Sequence, residues 1–365
     1  MIDVGIALRI AAIAIFALAG AVLPLSAAIR EARKPRDREP LDVDRRYRKD
    51  DRFFAKAFDD LLTGALGPPP RPAGVHAAHL HQDESVEVVA GSITLLRDDV
   101  QKRIYDIGGD LQIQGGSTVP KEILVGGSAE IGDGVRLRAL KAHGRITLGR
   151  SVDVERWIDA DWRLTAARES HLGVRATSLE EIVLGPTVKF GLLSAPRIVV
   201  EDGDRRYVAS SRPATTPTQS VIDFAERGRF RLRADGALLV DDDFVMPEGS
   251  VATGDVIARG DVHIGKGSLL RGSIHSDARV TIGDGADIEG SVYGERELRV
   301  GIGAVISDHA ITAGQATVSA SARIGTPGRV TTLLADGSIE LGPGATVCGR
   351  VVAGQGGITR GESIS

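Results

Sequence analysis

The chain has 365 residues and a formal charge of −4, with 45 lysines and arginines against 49 aspartates and glutamates. The basic residues are dispersed, which excludes the concentrated footprint of a nucleic-acid binder, so no nucleic-acid partner is expected. The one cysteine, Cys348, excludes an intrachain disulfide, and aromatic residues at 4% suit a narrow, closely stacked interior.

From the N-terminus, Val4 to Ile29 is apolar apart from Arg9 and contains no acid. About 20 such residues span a bilayer, so residues 1–29 are expected to form a transmembrane helix. Arg30, Arg33, Lys34, Arg36 and Arg38 follow at once, and basic flanks stay in the cytoplasm. The expected location is the inner membrane, single-pass, with the soluble part cytoplasmic. The alternative is a cleaved signal peptide ending near Leu25-Ser-Ala-Ala28, which makes the rest periplasmic.

Residues 30–84 read as a basic and amphipathic juxtamembrane segment with a proline-rich linker. Within Arg45 to Leu66, Phe54, Phe58, Leu61 and Leu62 follow a helical period, so a short amphipathic helix is expected to dock on its own domain. Gly67-Pro-Pro-Pro-Arg-Pro72 is expected to stop it and form a stiff spacer. His76, His79 and His81 cluster, but with no cysteine and only Asp83 and Glu84 nearby; no metal is expected there.

Residues 85–204 carry a loose repeat. Ile113, Ile131, Leu148, Ala166 and Leu184 are 17 or 18 apart, with Val119, Leu137, Val154, Leu172 and Phe190 six positions on. The row ten positions on is lost, because Lys141 and Ser194 fall on it. This region is expected to be an irregular β-helical stack, with Trp157 and Trp162 as packing or rim residues. Residues 205–229, rich in serine, threonine and proline, read as a linker or surface excursion.

Residues 230–358 carry the clean repeat. Met246, Ile264, Ile282, Val300 and Val318 are 18 apart, and a step of 23 reaches Leu341. Four positions on stand Ser250, Ser268, Ala286, Ala304, Ala322 and Ala345; six on stand Ala252, Leu270, Ile288, Ile306, Ile324 and Val347. Rows that keep one size class through successive copies mark coils stacked on one another. Apolar and polar residues alternate, as in Asp277-Ala-Arg-Val-Thr-Ile282, and glycines recur at fixed offsets, which fits strands and corners and not helices. The fold class is therefore all-β, a β-helix of about 18 residues per coil in two repeat regions. Asp241-Asp-Asp243 is expected to be a solvated turn or cap, and residues 359–365 a short tail.

No phosphate loop or Ser/His/Asp arrangement is identifiable, so no cofactor and no catalytic residue is assigned. Runs such as Ile282-Gly-Asp-Gly-Ala286 are similar to the hexapeptide repeat of acyltransferases, whose active-site histidine sits beside a projecting loop; His263, His275 and His309 instead lie within regular repeats. The run Gly272-Ser-Ile-His-Ser-Asp-Ala-Arg-Val-Thr-Ile-Gly-Asp-Gly-Ala-Asp-Ile-Glu-Gly-Ser-Val292 resembles bactofilins, polymer-forming cytoskeletal proteins of bacteria. The resemblance covers Met246 to Ala353. It implies a right-handed β-helix that assembles end to end without nucleotide and acts as a membrane-proximal scaffold in envelope or cell-shape machinery. The chain departs from that family in its second repeat region and its short C-terminus.

The expected function is thus a membrane-anchored scaffold and not an enzyme. Its partners are further copies of itself, the membrane and cell-envelope proteins. The alternatives are a hexapeptide-like acyltransferase or an exported β-helical envelope protein. An uncapped β-helix leaves unpaired strand edges, so its end coils are the expected assembly sites: Met246, Val251 and Val256 at one end, Leu341, Val347 and Val351 at the other.

Overall fold

The computed structural model describes residues 50–78, 84–97, 102–201, 220–221, 230–233 and 236–361. They belong to one compact unit, Asp50–Ser365. The expected membrane span, the basic flank, His79, His81, most of the linker and the last tail residues lie outside the described residues. Among the described residues no helix is long and apolar enough to cross a membrane.

The fold is a β-solenoid of about 13 turns, with about 18 residues per turn. In the regular stack the parallel pairing follows the sequence repeat: Val262 pairs with Val280, Val280 with Leu298, Leu298 with Ala316 and Ala316 with Ile339. The expected rows point inward. Ile282, Ile288, Val280 and Val292 are all essentially buried. The extra residues of the 23-residue step form the turn between Arg323–Ile324 and Thr331–Ala335, so Leu333 takes the inward place between Ala310 and Val351.

The two glycines of each Ile-Gly-x-Gly run serve different needs. A Cβ on Gly283 would lie 2.7 Å from the Lys266 amide nitrogen, so the first glycine permits close backbone approach between coils. Gly285 has open space around its Cβ position but a φ of +62°, the left-handed region that side chains disfavour. Aspartates pin the coils in register. The Asp243, Asp261 and Asp284 carboxylates accept the Asp261, Arg279 and Ile302 amides, each 18 residues on.

The first stack has the same construction, and its inward row is not lost. That row runs Ile123, Leu140, Ile158, Ala176, Leu193, all buried, one residue before the expected positions at Lys141 and Ser194. Register shifts between Val119 and Glu122, and between Val154 and Trp157, accommodate the difference. Lys141 therefore points outward, where its ammonium meets Asp59 at 2.6 Å. The left-handed corners start on Gly116 and Gly134 and pass to Ser151, Glu169 and Thr187, with φ of 54°, 63° and 59°. The Ser151 hydroxyl donates to the Glu169 carboxylate and the Glu169 amide to the Thr187 hydroxyl, a corner ladder without glycine.

The two stacks meet end to end. The long strand Lys189–Val200, the last of the first stack, pairs antiparallel with Thr346–Thr359, the last of the regular stack. Leu193 faces Val351, Ile198 faces Val347 and Phe190 faces Gly357 across this seam. Each stack runs from its outer end toward the seam, so the contact joins like to like. A Cβ on Gly357 would overlap the Phe190 ring at 2.1 Å, so a glycine is needed for that ring to fill the interior. Thr359 closes the seam: its hydroxyl accepts from the Val188 amide and donates to the Gly185 carbonyl.

The expected amphipathic helix forms as α1, Phe53–Leu66, and docks on the first stack. Its buried face is Ala55, Phe58 and Leu62, packed on Val86, Val88, Ile104, Leu124, Ala139 and Trp157. Phe54 and Leu61, expected on that face, are instead exposed, because the small Ala55 lets the helix lie close while Phe54 sits under the Arg175 guanidinium. The proline-rich segment is not a free spacer. Arg71 within it is buried and bonds the Gly67 carbonyl, the Thr63 hydroxyl and Asp106.

Candidate functional site

Three features of the solenoid present chemistry: its outer ends, its seam and the face that carries α1. At the outer end of the first stack, Gly74–Ala78 pairs antiparallel with Glu84–Val89 as a hairpin cap. Beside it, Ile93–Leu95 has one described partner, Leu111–Ile113. The Ile93 amide donates to Asp110 and the Leu95 carbonyl accepts from Gln114, so by strand alternation the Thr94 N–H and C=O point away from the next coil, toward the outer end. The outer end of the regular stack repeats this plan. Phe230–Leu232 caps Leu238–Val240 antiparallel. Phe244–Met246 pairs with Val262–Ile264, and the Phe244 amide and Met246 carbonyl both face that next coil. The Val245 N–H and C=O therefore point outward along the axis, and its side chain is 65% exposed.

The six expected assembly residues separate by end. Met246 and Val256 are buried inside the outer coil, and Val251 lies between Val221 and Leu269 in its ladder. Leu341, Val347 and Val351 are buried at or beside the seam. That end of the regular stack is covered by the first stack of the same chain. Thr94 and Val245 escaped the sequence reading because an edge is set by which coil comes first, and their residue types carry no mark of it.

The helix-bearing face holds a charged cluster. Arg52, just before α1, donates to both oxygens of the buried Asp159, at 2.7 and 2.6 Å, and also to Asp161. Thr177 donates to Asp159, and a His143 ring nitrogen lies 2.7 Å from Asp161. Burial alone would raise the Asp161 pKa, but hydrogen bonds with Arg52 and His143 outweigh it and hold the carboxyl below its ordinary range. Asp51 forms an ion pair with Arg350 of the regular stack at 2.8 Å, so the start of α1 touches both sides of the seam. No sequence signal links Arg52 to Asp159, which lies 107 residues away.

The remaining sequence candidates have structural roles. Trp157 lies under α1 with its ring 5.8 Å from Phe58, whereas Trp162 is half-exposed beneath Arg145. His275 stacks on Tyr293 at 4.7 Å, and the His309 Nδ1 accepts the Thr332 amide. His76 lies on the cap strand, with its ring nitrogen 2.8 Å from the Pro72 carbonyl oxygen. Asp241 meets Arg231 at 2.6 Å, and Asp243 serves the register ladder. Burial pushes the Cys348 thiol up, away from the reactive thiolate. Among the described residues no group of three or more metal-ligating side chains converges.

Compared with known proteins, the chain matches no family model and has no significant match among curated proteins or solved structures.

Proposed function

We propose that this protein is a membrane-anchored scaffold of the bactofilin type. In this reading it is a right-handed β-helix that self-associates through its outer ends without nucleotide and organises envelope or cell-shape machinery. Its anchor is the apolar segment Val4 to Ile29, at the inner membrane, with the solenoid in the cytoplasm. The observation that carries the reading is the pair of strand edges at Thr94 and Val245, whose outward backbone groups have no partner among the described residues. Outward-pointing backbone groups on an edge strand invite pairing with another chain. The seam supports it, since two coil ends of this chain already pair strand to strand. The ring-stacked and amide-bonded histidines favour a scaffold over an acyltransferase.

Sedimentation velocity of the full chain in detergent, with and without nucleotide, tests this. Large assemblies independent of nucleotide are expected. Val245→Pro removes the outward donor while leaving the inward ladder intact, so it is expected to shrink the assemblies with no loss of folded structure. A wild-type monomer at high concentration overturns self-assembly. A trimer that turns over acyl-coenzyme A replaces the scaffold with an enzyme, and a mature N-terminus near Ala28 replaces the anchor with an exported protein.

A further inference from the structure

One outward column on the regular stack is apolar at every coil but that of His275. Ile257, His275, Tyr293, Ile311, Leu334 and Val352 follow one another in strict register, and Leu192 continues the column across the seam. All but the exposed His275 are half-buried. The next members beyond Leu192 are Arg175 and then Trp157, which lies beneath α1. The face that binds α1 on one stack is therefore continuous with the apolar column on the other.

We propose that this column is the docking site of an amphipathic α-helix from a partner protein, with a leucine- and phenylalanine-rich face and a basic flank. The α1 contact is the precedent. Its 14 residues cover Val86, Ile104, Leu124, Ala139 and Trp157 on successive coils. Coils repeat every ~4.8 Å and helix turns every ~5.4 Å, so a helix along the axis offers close to one side chain per coil over about four turns. The basic flank follows from charge. Two positions beyond the column stand Asp277, Glu295 and Asp336. Arg259, the cation in that row, lies 3.8 Å from Asp241.

Other occupants fit less well. The row two positions before the column is Asp255, Ser273, Ser291, His309, Thr332 and Arg350, the last paired with Asp51, so the apolar strip is one residue wide. That matches the ridge of a helix and not the broad face of sheet-on-sheet packing between two copies. The acidic row repels an anionic lipid surface. A second copy of α1 would bring Asp59 and Asp60 toward the same acids.

The test uses the full chain in detergent and two synthetic 16-residue helical peptides. They share one leucine/phenylalanine face and carry either lysines or glutamates on the flank. Fluorescence anisotropy is expected to show the lysine peptide binding at least tenfold more tightly than the glutamate peptide. Leu334→Asp, on the outward column, is expected to weaken it at least tenfold, with an unchanged melting temperature. Glu295→Lys is expected to narrow the preference between the peptides. Failure of the lysine peptide to bind, or binding indifferent to both substitutions, overturns the proposal. So does a dimer, or binding to phosphatidylglycerol vesicles, that is lost in Leu334→Asp while peptide binding persists. None of these readouts depends on filament formation.

Discussion

Val351 offers a direct probe of the seam. It is 0% exposed, paired with Leu333 of the preceding coil on one side and with Leu193 of the first stack on the other. Val351→Asp places a carboxylate in that interior with no cation described opposite it. An uncompensated buried charge costs roughly 3–5 kcal/mol, and the lost methyl groups add about 0.8 kcal/mol each. In a solenoid such a penalty acts locally, because each coil touches only its neighbours. Hydrogen exchange followed by peptide mass spectrometry is therefore expected to show coupled loss of protection in 189–200 and 346–359. The central coils, 262–306, are expected to keep theirs. Val351→Ala is expected to show a milder version, at about 2 kcal/mol from transfer plus cavity. Exchange that accelerates in 346–359 while 189–200 stays protected would refute the seam, since the two strands would then not depend on one another.

Three further outcomes follow from the corners and the helix. Gly285→Ala is expected to cost about 1–2 kcal/mol from its left-handed backbone alone, whereas Gly283→Ala is expected to cost more because its Cβ meets the backbone of the adjacent coil; Glu169→Gly is expected to be neutral or stabilising, all read from thermal melts. Phe58→Ala is expected to weaken α1 docking by about 3–5 kcal/mol and to red-shift the emission of Trp157, measured in a Trp162→Phe background. The depressed Asp161 pKa gives stability that is present above about pH 4, the ordinary carboxylate value, and is lost as pH falls through the lower folded value. The same fluorescence signal should therefore hold at pH 5 and shift only at stronger acidity; release between pH 5 and 6 would contradict the role given to Asp161.

The regular stack was legible because most of its coils repeat one residue choice under one constraint: glycine at the corner positions, with Pro247, Ser319 and Ser321 as exceptions, and one size class per interior row. The first stack was blurred because Ser151, Glu169 and Thr187 hold three successive corners, where the regular stack has glycine in all but the Ser321 coil. Its inward row also slips by one residue, at Leu140 and Leu193. The helix was legible as an amphipathic segment, but its rotation was not, since Ala55 carries too little hydrophobic signal to outweigh Phe54. The seam left no trace in the sequence. An antiparallel contact between two apolar coils uses the same alternation as the parallel contacts within each stack. Its one distinctive residue, Gly357, is a glycine among many.

Negative-stain electron microscopy of the full chain in detergent, without nucleotide, tests the scaffold reading most directly. With about 13 turns at ~4.8 Å each, one chain contributes roughly 62 Å of solenoid. Unbranched filaments with an axial repeat near that length or twice it are expected, and are expected to be absent in Val245→Pro. Separate particles of single-chain length at every concentration tried, in wild type as in the variant, would contradict the scaffold reading.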